Sequence, residues 1–237
     1  MNYIMEFSTI FSWTFAYDFL KGPMVWVSFI VFIFGTLFQL FKISSLMSKP
    51  ERIRLSAGPG KFISPPPSPE NKKSWYLRFK LSIAGVNPFM TSVTAVFHVL
   101  LLILPIFVLG HNILLNNAFG ISMVSLPENI SHRLTLVVIL CALIFLYRRI
   151  LLYRVRLITT FEDYLFLILA AVPFISGFLA YEQFFSNYKL VIGLHILSGE
   201  LMLMTVPFTK FIHMIFMLIV RFKIDGEYSL GNGDRVW

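Results

Sequence analysis

The chain has little charge and almost no cysteine. Charged residues make up 14% of its 237 residues and hydrophobic residues 57%, and the mean hydropathy is +0.76. A soluble domain of this length would be far more polar, so the composition predicts an integral membrane protein with little mass outside the bilayer. The single cysteine, Cys141, excludes a disulfide framework and a thiolate cluster. No basic segment or small-residue cleavage site accompanies the first apolar stretch, so we expect it to be retained.

Five apolar stretches are long enough to cross a bilayer. They lie at approximately residues 23–41, 91–115, 130–147, 164–181 and 190–220. Backbone groups in lipid must be satisfied within their own segment, so all five are expected to be helices. The sequence therefore predicts an all-α integral membrane five-helix bundle, a single membrane domain over residues 1–237. Residues 1–20 are rich in aromatics and predict a lead-in helix at the membrane interface.

Lysine and arginine are distributed unevenly between the two ends of these spans. The segment 42–88 carries nine of the 20 basic residues, and four more follow the third span. The positive-inside rule then places the N-terminus outside, the C-terminus in the cytoplasm, and 42–88 in the cytoplasm as a long loop. Because the net charge of +8 comes from loops beside spans, topology explains it, and we expect membrane lipid and no nucleic acid as a partner.

Four histidines occupy matching depths on two spans. His195 and His213 are 18 residues apart, which on a continuous helix is five whole turns and about 27 Å, close to the thickness of the hydrocarbon core. In the predicted orientation, His98 lies at the inner depth of His213, and His111 lies at the outer depth of His195. Two imidazoles bridging two helices are what a bis-histidine b haem requires, so the spacing predicts two haems in a bundle core.

One spacing resists this pairing. His98 and His111 are 13 residues apart, which places them roughly 140° apart around a regular helix. Pro105 lies between them and would re-aim one ring through a kink. The alternative is that His132, at the outer end of the third span, replaces His111 as the partner of His195. We favour His111.

The motifs around these histidines resemble the gamma-subunit family of respiratory nitrate reductase, a five-span dihaem cytochrome b. The resemblance covers about residues 90–215. It rests on Phe97-His98, Phe107-Val108-Leu109-Gly110-His111, Tyr147-Arg148-Arg149, Arg154-Val155-Arg156, Thr159-Thr160, Asp163, Leu194-His195 and Pro207-Phe208-Thr209-Lys210-Phe211-Ile212-His213. The long 42–88 loop, the short tail, and Ser131 at the place of the family's quinol-contacting lysine look more like the variant in transmembrane redox complexes of sulfate-reducing bacteria.

The resemblance implies an electron-transfer subunit of an oxidoreductase complex in the cytoplasmic (inner) membrane. Electrons would pass between menaquinol, or a periplasmic multihaem cytochrome c, and a cytoplasmic iron–sulfur subunit related to heterodisulfide reductase. The cofactors would be two haems b, with menaquinone as a further ligand. The alternative is a haem-free membrane anchor or transporter subunit. A transporter would more often have paired Gly/Pro interruptions in two halves, and the sequence has no clear pair of that kind.

Supporting residues have two interpretations each. Lys210, Arg148 and Arg149 are candidates to hold haem propionates; the alternatives are snorkelling to lipid for the lysine and topology-setting charge for the arginines. Glu200 is a carboxylate inside a span, and so a functional candidate that would take a quinol proton or pair with a neighbour. The candidate quinone site comprises Gly110, Ser131, His132, Arg133 and Glu200. Gly110 and Gly193 would admit a flat macrocycle or serve helix packing.

Overall fold

The structure is a computed structural model that describes residues 13–47 and 87–216. The predicted lead-in segment before residue 13, most of the predicted 42–88 loop, and the tail from residue 217 lie outside the described residues. Within the described ranges the chain is helical with short connections, which confirms the all-α prediction. The helices are α1 Trp13–Phe19, α2 Val25–Met47, α3 Pro88–Phe107, α4 Leu109–Phe119, α5 Glu128–Leu151, α6 Tyr153–Arg156, α7 Phe161–Tyr181 and α8 Tyr188–Thr205.

Five segments are long and apolar enough to cross a membrane, as predicted. They are Phe15–Ser45, Pro88–Phe107, Glu128–Leu151, Phe161–Tyr181 and Tyr188–Phe208. The first is longer than predicted because α1 runs through a π-helical turn, Leu20–Met24, directly into α2. That turn contains Pro23, which lacks the N–H that a regular helix would use.

The second span is broken, not merely kinked. The helix α3 ends at Phe107, Val108 adopts an extended conformation with ψ 131°, and α4 begins at the next residue. The N–H of Leu126 donates to the Phe107 carbonyl at 2.8 Å, so the returning loop occupies the gap. The prediction of one helix over 91–115 is wrong for this reason. Pro105, which removes one helical donor and crowds the preceding turn, lies just before the break.

The fifth span is broken as well. After α8 the chain forms a 3₁₀ turn, Val206–Phe208, an extended residue, Thr209 (φ −123°, ψ −176°), and a second 3₁₀ turn, Lys210–Ile212. The predicted continuous helix over 190–220 is therefore wrong, and the 18 residues from His195 to His213 do not form five regular helical turns. Pro207 at the break packs against Gly35 of α2, where an added Cβ would lie 2.8 Å from the Pro207 ring.

The core of the bundle lies between α3, α5, α7 and α8, and α2 packs along α8. Leu104 of α3 and Val138 of α5 are almost fully buried at its centre. The helix α7 contributes small buried residues, which let neighbouring backbones approach closely: Ala170, Ala171, Ser176 and Ala180. Large apolar side chains cover the outside of the bundle, as expected of a surface that faces lipid.

Candidate functional site

The structure brings the four histidines together in two pairs, the same two that matching depth predicts. The rings of His98 and His213, the inner pair, have centroids 5.8 Å apart and planes at 82°. The rings of His111 and His195, the outer pair, have centroids 5.9 Å apart and planes at 19°. Each pair joins the second span to the fifth.

The ring spacing suits a shared metal ion. A metal bound between two imidazole nitrogens at about 2 Å from each holds the ring centroids roughly 6 Å apart. Both pairs match this spacing. Among the described residues there is no group of three or more His, Cys, Asp or Glu side chains that would hold a metal ion. Each pair would present two imidazole nitrogens to one ion, which is the protein donor set of a bis-histidine haem.

All four imidazoles are anchored through the same ring nitrogen. Each Nδ1 lies within hydrogen-bonding distance of a backbone carbonyl: His98 with Thr94 (2.7 Å), His111 with Pro105 (2.8 Å), His195 with Pro173 (3.0 Å) and His213 with Lys210 (2.6 Å). A carbonyl only accepts, so Nδ1 carries the proton and donates. In the neutral ring Nε2 then keeps its lone pair, which is the state of a metal-ligating histidine.

The two breaks aim the rings. The carbonyl that accepts the hydrogen bond from His111 Nδ1 belongs to Pro105, on the other side of the break at Val108. The carbonyl that receives His213 belongs to Lys210, in the 3₁₀ turn after Thr209. A regular helix would have left His111 roughly 140° away from the face of His98. Because Val108 is extended, the helix after it presents its side chains in a different direction. The rings of His98 and His111 therefore both reach the fifth span.

The ring of His195 lies against a glycine that sequence reasoning missed. A Cβ on Gly177 would lie 3.0 Å from Cε1 of His195 and 3.3 Å from its Nδ1. The Ser176 hydroxyl is 3.2 Å from the same Nδ1 and also bonds the Val172 carbonyl. The only sequence signal was a glycine within an apolar span. Gly110, which the sequence suggests for close approach of a macrocycle or for helix packing, has nothing within 4 Å of an added Cβ.

We expect Gly177→Ala to displace the His195 ring and lower occupancy of the outer site while the inner site stays filled. Overpacking of this kind costs about 1–3 kcal/mol. Cofactor content and thermal stability of the purified protein measure the effect. The matched control is Gly199→Ala, because Gly199 also lies in a spanning helix but has nothing within 4 Å of an added Cβ. Equal behaviour of the two variants would contradict the assignment.

A cavity of about 520 Å³ adjoins the inner pair. Both His98 and His213 line it, with the rings of Phe97 and Phe145. Its volume lies within the range of about 300–1,000 Å³ that small-molecule and cofactor sites occupy. Its basic lining residues are Arg148, Arg149 and Lys210, the three residues that the sequence proposed for propionates.

The three cations at this cavity differ in their partners. Lys210 Nζ lies 3.0 Å from Asp163 Oδ1 and 3.6 Å from Glu162 Oε2, and Arg149 lies 3.8 Å from Asp163 Oδ2. The hydrogen bond to Asp163, and then the nearby carboxylate charges, raise the pKa of Lys210 above its ordinary value. Arg148 makes no ion pair with any residue that the structure describes. It is therefore the cation best placed to meet an anionic group in the cavity.

A second, smaller cavity of about 320 Å³ lies between the ends of α7 and α8. Its wall includes Ser176, whose hydroxyl contacts His195, and the apolar side chains of Val191 and Leu194. This cavity therefore borders the hydrogen-bond network of the outer pair.

His132 does not face another histidine. Its Nε2 lies 3.0 Å from Glu182 Oε1, and its ring stacks on Phe178 (centroids 4.9 Å apart) and against Tyr181 (4.6 Å). The neighbouring Arg133 is exposed and Ser131 is buried. His132 thus contacts the end of α7 through Glu182 and two aromatic rings, apart from the outer pair.

Glu200 lies inside the bundle and not beside His132 at the end of α7. It is 5% exposed, and neither carboxylate oxygen has a hydrogen-bond partner among the described residues. It follows His195 by five residues on α8, about 140° around the helix. Of the five residues predicted for a quinone site, Gly110 and Arg133 are exposed, while Ser131 and Glu200 are buried.

Comparison with known proteins identifies a relative that matches most of the chain. A protein of Nitratidesulfovibrio vulgaris, strain Hildenborough, is 32% identical over 218 residues, which cover 92% of this chain and 95% of that protein. Its name, "Protein", states no activity. No family profile and no solved structure matches the chain.

Proposed function

We propose that this chain, which belongs to the same family as the Nitratidesulfovibrio vulgaris protein, binds two haems b and carries electrons across the cytoplasmic (inner) membrane as a subunit of a respiratory redox complex. One observation carries the proposal: two histidine pairs, 5.8 and 5.9 Å between centroids, with every Nδ1 bonded to a carbonyl, which leaves every Nε2 with its lone pair. The two imidazoles of each pair would hold one haem, which would supply a one-electron carrier.

The residues around each pair fix the imidazoles before any cofactor arrives. A carbonyl acceptor on Nδ1 sets the tautomer and the plane of the ring and raises the basicity of Nε2. In the inner site Arg148 is the proposed partner of a propionate. Lys210 and Arg149 are the weaker candidates, since Asp163 already binds the first and lies near the second.

The inner site is proposed to discharge electrons to the cytoplasmic side. The positive-inside rule gives this orientation. Arg148 and Arg149, in the last turn of α5, line the cavity of the inner pair, and Arg154 and Arg156 follow in α6. A cytoplasmic iron–sulfur subunit with an acidic rim, of the heterodisulfide-reductase-like class, would dock there by charge complementarity. In the same predicted orientation, the nine basic residues of 42–88 would add to the positive charge on that side.

The outer site is proposed to receive electrons from menaquinol or from a periplasmic multihaem cytochrome c. Two features favour a quinol. The small cavity beside Ser176 is an apolar space next to the outer pair. His132 and Glu182, at the end of α7, are side chains that would accept a proton from the quinol. The serine at position 131, where the resembling family has a lysine, favours direct exchange with the cytochrome.

The test begins with haem extraction and the absorption spectrum of the purified chain, where two low-spin b haems per chain are expected. Membranes are then given a menaquinol analogue, with and without a quinone-site inhibitor, or a reduced multihaem cytochrome c. Inhibitor-sensitive reduction by the quinol places its oxidation in this subunit. Reduction by the cytochrome alone refutes the quinol site and leaves a transmembrane electron carrier.

The rival function is a haem-free anchor or transporter subunit. The breaks at Val108 and Thr209 favour it, because interrupted spans are common where transporters bind substrates. However, both breaks here position an imidazole against a carbonyl, which is the orientation that a ligating histidine needs and supports the electron carrier. A correctly folded preparation without iron porphyrin would establish the rival and reject the electron carrier.

A further inference from the structure

We infer that Asp163 is a positioning residue of the inner site: it clamps the segment after the second break so that His213 faces His98. The inference rests on the proposed function, since the inner pair is taken as a haem site. In the sequence, Asp163 is one of the residues that carry the family resemblance, which assigns it no role. The structure gives it contacts to three elements of the bundle.

The carboxylate of Asp163 is shared between these elements. Oδ2 accepts the Thr160 backbone N–H at 2.9 Å and its hydroxyl at 3.1 Å, which closes a capping box at the start of α7. Oδ1 accepts Lys210 Nζ at 3.0 Å. Arg149, near the end of α5, lies 3.8 Å from Oδ2. The cap therefore orients the carboxylate, and the free oxygen points to Lys210.

Lys210 transmits this contact to the ligand. Its backbone carbonyl accepts Nδ1 of His213 at 2.6 Å, so the residue held by Asp163 is also the residue that fixes the His213 ring. The backbone here consists of an extended residue and one 3₁₀ turn, whose geometry is poorer than that of an α-helix. Side-chain docking therefore has more influence on the ring than it would within a regular helix.

The neighbouring acid, Glu162, provides a contrast. It also approaches Lys210, at 3.6 Å, but its side chain is 66% exposed, whereas that of Asp163 is 18% exposed. Exposed ion pairs contribute little because water and salt screen them. Glu162 also takes no part in the cap. The positioning role belongs to Asp163, and Glu162 supplies a control of the same charge one residue away.

Asp163 also sets the charge at the cavity. With its carboxylate present, Lys210 and Arg149 face an anion, and Arg148 is left without an ion pair among the described residues. Without it, Arg149 loses its counter-charge, and Lys210 keeps only the exposed Glu162. Uncompensated positive charge favours the reduced state of a nearby redox centre, so the inner midpoint potential should rise.

The experiment uses Asp163→Asn, with Glu162→Gln and Thr160→Ala as controls, in the purified chain. The inner pair has nearly perpendicular ring planes and the outer pair nearly parallel ones, so the two ferric haems should give separate electron paramagnetic resonance signals. In Asp163→Asn the inner signal should shift or broaden and the inner potential should rise, while the outer signal stays unchanged. Both controls should keep the wild-type inner signal and potential. Glu162→Gln removes an exposed charge that takes no part in the cap, and Thr160→Ala removes the hydroxyl donor but keeps the backbone N–H that orients the Asp163 carboxylate.

The outcomes separate this inference from the proposed function. A wild-type chain without haem would remove the proposed function itself. A wild-type chain with two haems and an Asp163→Asn inner signal and potential like wild type would overturn the positioning role alone. Equal changes at both haems would also overturn it, since a lost cap would then be acting on the whole bundle. If Asp163→Asn does not fold, Asp163→Glu keeps the charge on a longer arm and should disturb the inner signal more than the potential.

Discussion

His213→Ala is expected to remove one of two haems and to halve the haem content, and His98→Ala is expected to do the same. The two rings have centroids 5.8 Å apart and line one cavity of about 520 Å³, so either alanine leaves one axial ligand. The outer pair is built on other residues and its own carbonyl anchors. Haem extraction gives the content, and the remaining paramagnetic signal should be that of the outer, parallel-plane site.

A chemical rescue distinguishes ligand loss from misfolding. His213→Gly leaves a space that free imidazole can enter, so added imidazole should restore the inner haem spectrum. His132→Ala is the matched control, because this histidine lies outside both pairs and should keep two haems. If His98→Ala or His213→Ala lost the outer haem and kept the inner one, the assignment of the pairs would be wrong.

The five spans could be predicted from the sequence because their signal is local. Each is a long apolar run, and lipid admits only a helix for such a run. The predicted third and fourth spans, 130–147 and 164–181, lie within Glu128–Leu151 and Phe161–Tyr181. The errors are at the ends, where partly polar turns extend the helices. The start of α7, for example, depends on the capping box of Thr160 and Asp163.

The pairing of the histidines was predicted from their depth in the membrane. The angular positions, or helical phase, expected for them around regular helices were wrong. Depth depends only on the position of a residue along its span, which a local break alters little. Phase depends on every residue between the two, and Val108 and Thr209 interrupt it. Pro105 indicates a distortion of the second span, but the break itself also depends on Leu126 from a later loop, and the break in the fifth span packs Pro207 against Gly35.

The groups that orient the histidines and Lys210 could not be predicted from the sequence. Carbonyl acceptors belong to every residue, so no residue type identifies Pro173 or Lys210 as an anchor. Gly177 matters because the ring of His195 lies against it, which is a contact between different spans. Lys210 was predicted to meet a propionate or lipid phosphate, and the structure pairs it with Asp163, 47 residues earlier in the chain.

The outer site gives the second large expected effect: His111→Ala should lose the outer haem, and His132→Ala should retain both. The Nε2 of His132 is occupied by Glu182 at 3.0 Å, and its ring is held by Phe178 and Tyr181. His111, by contrast, stacks 5.9 Å from His195 with its Nδ1 on Pro105, so its Nε2 is available.

The measurement is haem content with the paramagnetic signals, which in His111→Ala should leave only the inner, perpendicular-plane signal. Glu182→Gln tests the competing arrangement, because it weakens the ion pair that holds His132 away from His195. If His132 were the true ligand, its replacement would cost one haem while His111→Ala kept two, and Glu182→Gln would alter the outer signal through the nitrogen it releases. The geometry predicts the opposite: two haems in both His132→Ala and Glu182→Gln, and a single inner haem in His111→Ala.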